Sequence, residues 1–229
     1  MPEGIITALR AQEHDARHVN LYINHAFALS VSLTTIARER LCVGMYLDAA
    51  AYARIEAAEC IERAVQTALR AIESRPRSVA EVRGYLQRKG FSSETVNAAI
   101  ERLQRSGLLD DAAFARFWIE NRQTCRPRGR HALAEELRRK GVNAEVVAVA
   151  LDTSLTDDET ERAEMLARAA MRRYATVADY QTFVRRLSGY LQRRGFSVDV
   201  ILPIIERLWR ERGSRDSVDP GVNVEQDEG

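Results

Sequence analysis

The chain has 229 residues, 45% of them hydrophobic and 29% charged, with 34 basic against 33 acidic side chains: an ordinary globular balance with room for one large domain or several small ones. No apolar run reaches membrane-spanning length, the first fifteen residues lack the basic, apolar and cleavage regions of a secretory leader, and three cysteines are too few and scattered for a disulfide framework. Transmembrane and disulfide-stapled classes are therefore set aside, and a reducing cytoplasm is the expected location.

Residues 5–32 read as extended, since Val19, Leu21 and Ile23 alternate with polar neighbours and Asn24-His25 suits a hairpin turn. A short helix over about 33–40 and the segment LCVGMYLD complete a small cap. Asp48 then caps a long helix of about 49–74 that stops before Arg75-Pro76. From Ser78 onward one unit recurs. YLQRKGF (85–91) returns as ELRRKGV (136–142) and YLQRRGF (190–196), and the glycines Gly90, Gly141 and Gly195 are 51 and 54 residues apart. Each is a helix C-terminus: a basic last turn, glycine in the left-handed position and an apolar residue folding back. Ser92 or Ser93, Asn143 and Ser197 cap the helices that follow, Gly107 ends the first of these, and Asp110 caps the helix carrying AAFARFWIENR. Thr156 and Glu159 have capping-box spacing for a helix of about 157–173. Pro203 sits inside the last helix and should bend it near Asp199.

The expected architecture is mainly α: tandem three-helix repeats in an elongated, curved array behind a cap that contains a β-hairpin. The expected boundaries are 1–74 for the cap and its long helix, 75–125, 126–174 and 175–213 for the repeats, and 214–229 for an acidic, disordered tail. Val82, Leu86, Val96, Ile100, Leu103, Phe114, Phe117 and Trp118 fall at helical spacing and are assigned to the core.

No catalytic constellation emerges. His14, His18, His25 and His131 share no ligand spacing with the cysteines and read as solvated, so no metal is expected. Cys42 and Cys60 read as buried or half-buried thiols, and Cys125 lies beside arginines with no base. No glycine-rich phosphate loop occurs, and the pairs Asp110-Asp111, Glu135-Glu136 and Asp157-Asp158 sit at helix starts. Neither enzymatic activity nor a cofactor is expected.

The charge is segregated despite a net of +1. Residues 75–152 carry 15 basic and 10 acidic groups, residues 162–215 carry 12 and 5, and residues 1–74 carry 7 and 9; residues 216–229 hold five acids and no base. The basic groups recur at matching places in the repeats: Arg75, Arg77, Arg83, Arg88 and Lys89; then Arg122, Arg126, Arg128, Arg130, Arg138, Arg139 and Lys140; then Arg185, Arg186, Arg193 and Arg194. One reading is a solvated face with local ion pairs to Glu81, Glu135 or Glu136, each contributing little. The other is a basic stripe for a polyanion or an acidic protein surface, with salt-sensitive binding. The aromatics Phe91, Phe114, Phe117, Trp118, Phe183, Phe196 and Trp209 read as core or cap residues, not a base-stacking platform.

The segment RPRSVAEVRGYLQRKGFSSETVNAAIERLQRSGLLDDAAFARFWIENR (75–122), with RPRGRHALAEELRRKGV (126–142) and YLQRRGFSVDVILPIIERLW (190–209), closely resembles the signature of RecX proteins, regulators of the RecA recombinase. Residues 4–74 are similar to the N-terminal extension of some members, with NH at the hairpin where DG or NG is usual. The resemblance implies three tandem three-helix repeats and binding in the groove of a RecA–DNA filament. It also implies damped ATP hydrolysis, strand exchange and filament growth, in the setting of recombinational DNA repair and the SOS response. Many such proteins also bind single- or double-stranded DNA, and a monomer is expected. The family has no fixed catalytic set. The binding positions carried over are Arg75, Arg77, Arg88, Lys89, Arg122, Arg126, Arg128, Arg130, Arg138, Arg139, Lys140, Arg185, Arg186, Arg193 and Arg194. A helical-repeat module that binds DNA without a protein target is the alternative.

Overall fold

The computed structural model describes residues 2–13, 15–155, 159–174 and 176–216, with side chains through 213. His14, Thr156, the Asp157-Asp158 pair and the acidic stretch beyond 216 lie outside the described residues, together with the expectations attached to them. The backbone divides into two compact units, 1–111 and 112–229.

The first unit opens with an antiparallel sheet of order β3-β2-β1-β4, made of β1 (Gly4–Ala11), β2 (His18–Ile23), β3 (Ala26–Ser32) and β4 (Tyr46–Leu47). The hairpin turn is Asn24-His25, with φ of 49° and 67°, the left-handed pair whose twist suits a two-residue connection. Side-chain bonding substitutes for the missing glycine. Asn24 Oδ1 accepts from Ile5 N, Asn24 Nδ2 donates to the Glu3 carbonyl, and His25 N donates to Thr7 Oγ1.

Ser32 caps α1 (Leu33–Glu39), and Asp48 Oδ1 accepts from Ala51 N to start α2 (Ala49–Ser74). Helix α2 serves two cores. Its N-terminal half sets Tyr52 and Ile55 against Ile6, Leu21, Ile23 and Val31 of the sheet. Its C-terminal half sets Ala64, Val65 and Ala68 against α3 (Val79–Arg88) and α4 (Ser93–Arg105). Two buried carboxylates lie where the halves meet. Glu59 Oε2 accepts from Ser32 N at 2.8 Å, and Glu62 Oε2 accepts from Arg102 Nη1 at 2.6 Å. His18 is half-buried rather than solvated: its Nδ1 lies 2.8 Å from Asp15 Oδ2 and its Nε2 3.7 Å from Glu59 Oε1. The Arg17 backbone N–H, then the His18 ring, holds the Asp15 carboxyl below its usual range.

The second unit holds two further cores. Helices α5 (Asp111–Cys125), α6 (Arg130–Arg139) and α7 (Ala144–Ser154) bury Phe114, Ile119, Leu133, Leu137, Val147 and Leu151. Helices α8 (Glu159–Ala170), α9 (Tyr180–Gln192) and α10 (Val198–Asp216) bury Leu166, Phe183, Leu187, Leu191, Ile201 and Ile205. The expected helix of 157–173 ends earlier than read, because Met171–Tyr174 tightens into a 3-10 turn. Helix α10 runs through Pro203.

The three cores share one register. Counted from Gly90, Gly141 and Gly195, the buried positions eight residues before are Val82, Leu133 and Leu187; four before, Leu86, Leu137 and Leu191; six after, Val96, Val147 and Ile201; ten after, Ile100, Leu151 and Ile205. All three glycines have positive φ (86°, 79° and 87°), as the left-handed helix stop requires. The protein is thus mostly helical, with three tandem three-helix cores and a small N-terminal sheet.

The cores are nevertheless out of phase with the sequence frame of 75–125, 126–174 and 175–213. The third wall of each is the helix preceding the junction, supplied by Ala64, Val65 and Ala68, then Phe114, Ala115 and Ile119, then Ala163, Leu166 and Ala167. Chain breaks at proline mark where a helix ends, not where a core does.

Two core assignments change. Phe117 is 43% exposed, and Trp118 only edges the second core. Cys42 and Cys125 are exposed and Cys60 is half-buried, so Cys42 is not the buried thiol expected.

Candidate interface for an anionic partner

Each basic cluster grows from the repeated helix end. In the first unit, Tyr85 on α3 lies under two cations, with the Arg77 guanidinium 5.6 Å and the Lys89 ammonium 5.7 Å from its ring centroid. Arg77 also donates from Nε to the Ala71 carbonyl at 2.7 Å, closing the end of α2. Arg75 makes a forked pair with Glu81. Arg88 is exposed, and its Nη1 lies close over Gly84.

The second unit carries the larger cluster. The N-terminus of α6 meets the C-terminus of α9 backbone to backbone. Gly129 N donates to the Arg194 carbonyl at 2.8 Å, and Arg128 Nη1 donates to the Arg193 carbonyl at 3.2 Å. Only glycine fits there: a Cβ on Gly129 would lie 2.3 Å from Gly195 O, and one on Gly195 2.2 Å from Ala132 Cβ. This approach gathers Arg126, Arg128, Arg193 and Arg194 with Tyr190 around a hollow of about 380 Å3. Arg194 stacks on Tyr190 at 4.7 Å.

Beside the hollow, Trp118 carries Arg122 at 4.5 Å and Lys140 at 4.4 Å from its ring. Glu136 accepts from Trp118 Nε1 at 2.9 Å and from Arg122 Nε at 2.8 Å. Arg128 Nε is shut off from solvent without a hydrogen bond, 3.7 Å from Glu136 Oε1. Among the described residues, no carboxylate lies within ion-pair distance of Arg126, Arg193 or Arg194. Among the described residues, Glu136 is the one acid paired with this cluster, so the hollow keeps a surplus of positive charge.

The remaining sequence candidates behave differently. Arg138 and Arg139 both pair with Glu135, at 3.5 and 3.2 Å, and Arg130 pairs with Asp152. Arg185 and Arg186 are exposed on α9. Close by, the Thr182 backbone N–H and then its hydroxyl hold the Asp179 carboxyl low, Arg185 adding a smaller pull. Arg193 and Arg139 thus hold matching sequence positions but are not equivalent. The residue six before the loop glycine is Gly84 or Gly189 in the outer repeats, with Arg88 or Arg193 lying close over it, whereas Glu135 occupies it in the middle one and captures both arginines.

The sequence reading missed the aromatic half of the site. Tyr85 with Lys89 and Tyr190 with Arg194 are four residues apart at matching places of the first and third repeats, so that part of the signal was present in the repeat itself, and Trp118 with Arg122 has the same spacing on α5. The Gly129–Gly195 contact had no such signal.

Three tandem three-helix cores and a small sheet, with cations stacked on half-buried aromatic rings in each unit, define a helical-repeat protein bearing cationic clusters. Family models match in the same order along the chain: the RecX N-terminal domain at residues 4–48, and the first, second and third RecX three-helix domains at 64–103, 110–151 and 157–205. The regulatory protein RecX of Amycolatopsis mediterranei is 38% identical over 144 residues, 63% of this chain and 82% of that protein. The one from Lactobacillus johnsonii is 30% identical over 215 residues, 94% of this chain and 79% of that protein. A crystal structure of a regulatory protein RecX superposes with a TM-score of 0.76 at 23% identity, covering 86% of this chain and 96% of that one. The chain belongs to the RecX family of regulatory proteins.

Proposed function

We propose that this chain is a negative modulator of RecA: it binds the groove of the RecA–DNA filament and slows ATP hydrolysis, strand exchange and filament growth, with no catalysis of its own. The observation that carries this reading is the hollow of Arg126, Arg128, Arg193 and Arg194, four guanidiniums with one neighbouring carboxylate. Arginine matches phosphate and carboxylate oxygens two at a time, so such a surface suits DNA backbone or an acidic protein groove. Family membership supports a regulatory role, and RecA as the target follows from the resemblance to that family. The clamp of Arg77 and Lys89 on Tyr85 offers a second contact in the first unit. A monomer acting in the cytoplasm, within DNA repair, fits this role; no helix among the described residues is long and apolar enough to cross a membrane.

The test is RecA ATPase on single-stranded DNA. The parent inhibits below one copy per RecA protomer. The pair Arg193→Glu and Arg194→Glu raises the half-inhibiting concentration by about tenfold or more, a loss of about 1.4 kcal/mol. The pair Arg138→Glu and Arg139→Glu, already neutralised by Glu135, changes it less. Equal inhibition by all three proteins rules the hollow out as the contact. A variant that no longer binds free DNA yet inhibits normally dismisses the reading of a DNA-binding module without a protein target.

A further inference from the structure

We infer that the cavity bounded by the β1–β2 connection, the start of α1 and the second half of α2 is a further anion site, taking a phosphoryl group either as a free diphosphate or as the phosphodiester of a strand. It lies wholly in the first unit, within the acid-rich part of the chain, and depends neither on the proposed function nor on the hollow of the second unit. The cavity measures about 590 Å3, in the range of small-ligand clefts. Three exposed arginines line it: Arg17 from the connection, and Arg63 and Arg70, two turns apart on one face of α2. Among the described residues, none of these guanidiniums has a hydrogen bond or a carboxylate within ion-pair distance.

The acids that could quench them are engaged elsewhere. Asp15 Oδ1 accepts from the Arg17 backbone N–H at 3.0 Å, and its Oδ2 lies 2.8 Å from His18 Nδ1. Glu62 accepts from Arg102 Nη1 at 2.6 Å and from Gln66 Nε2 at 3.1 Å. Glu59 stands four residues before Arg63, the spacing of a helical ion pair, but its carboxylate turns to Ser32 N. Three like charges without partners contribute nothing to the fold. They supply what a phosphoryl group needs, forked N–H donors in a surplus of positive charge. Two neutral donors complete the lining. The Thr34 hydroxyl has no hydrogen bond among the described residues, and Gln66 Nε2 keeps a second hydrogen after bonding Glu62.

The test uses the full chain carrying isotope-labelled threonine. The backbone NMR signals of Thr34 and Thr67, which both line the cavity, are assigned through Thr34→Ser and Thr67→Ser. Pyrophosphate, titrated to about 10 mM at constant ionic strength, shifts both signals along a saturating curve. In the pair Arg63→Gln and Arg70→Gln the half-shift concentration rises about tenfold or more, while the urea midpoint stays at the parent's value, since neither side chain has a protein partner to lose. Arg17→Gln, which lies off the helix, raises it about threefold or more and carries the test if the pair fails to fold. An oligo-dT of about 20 nucleotides separates the two sources. Shifts with oligo-dT alone assign the site to a strand, shifts with pyrophosphate alone assign it to a free diphosphate, and shifts with both make the phosphoryl group itself the determinant. Signals that neither probe moves, or a titration unchanged in the arginine variants, overturn the proposal. The readout is local to these two threonines, so binding at the hollow of the second unit does not enter it, and a failure to inhibit RecA leaves it standing.

Discussion

Gly129 has an ordinary φ of −72°, so its need for glycine is purely steric: the Gly195 carbonyl occupies the place of its Cβ. Gly90 is the opposite case, with φ of 86° and nothing within 4 Å of a built Cβ. Substitution should separate the two roles. Gly90→Ala costs about 1–2 kcal/mol of backbone strain and leaves the surface alone. Gly129→Ala costs a similar about 1–3 kcal/mol, because a methyl group is forced against backbone. It also parts Arg128 from Arg193 and Arg194, so polyanion affinity falls with it. Guanidinium denaturation and an oligo-dT titration on both variants check this; unchanged affinity in Gly129→Ala would mean that the hollow does not depend on the backbone contact. Glu135 shows how one side chain redirects its neighbours. It binds Arg138 and Arg139, whereas Gly189 leaves Arg193 to the hollow.

Asp111 ties two elements together. It opens α5, and its Oδ1 accepts from Val79 N at the start of α3 at 2.8 Å. Burial pushes its carboxyl above 3.8, the Val79 N–H counters this, and Asp110 adds a further push upward. A raised folded value means that folding disfavours the charged form, so this group's contribution falls as pH rises from about 3.8 through the folded value. Asp111→Asn keeps the acceptor and escapes that loss. It should match or exceed the parent in stability at pH 7, with the advantage gone near pH 4. Asp111→Ala loses the acceptor and should be about 1 kcal/mol less stable than Asp111→Asn at either pH. Urea denaturation at the two pH values decides it; a parent that gains on Asp111→Asn as pH rises would contradict the sign. Helix α2 is the other shared element: one continuous apolar face first meets the sheet and then α3 and α4, with Glu59 and Glu62 buried at the change of partner.

Across the whole molecule, charge segregation is the property most tied to function. A near-neutral chain carries its surplus of arginine in residues 75–152 and 162–215 and its surplus of acid in 1–74, 153–161 and 216–229. Binding to single-stranded DNA should therefore weaken steeply with salt, about 0.7 units of log affinity per unit of log salt for each neutralised phosphate. Removing Arg193 and Arg194 as alanines should flatten the slope by about 1.4, measured by anisotropy between about 0.05 and 0.2 M salt. An unchanged slope would place the phosphates elsewhere.

The repeat, the helix stops, the caps at Asp48, Ser92 and Asn143, and the helical spacing of Val82, Leu86, Val96 and Ile100 were legible in the sequence. They depend on local backbone preference and on a hydrophobic period that a helix imposes within a few residues. Three features were decided only by tertiary structure: which helix completes each core, which arginines are quenched by carboxylates, and the union of Arg128 with Arg193 and Arg194. Helix pairing, ion pairing and close backbone approach each join residues distant in the chain, such as Gly129 and Gly195, and no local spacing records such a meeting.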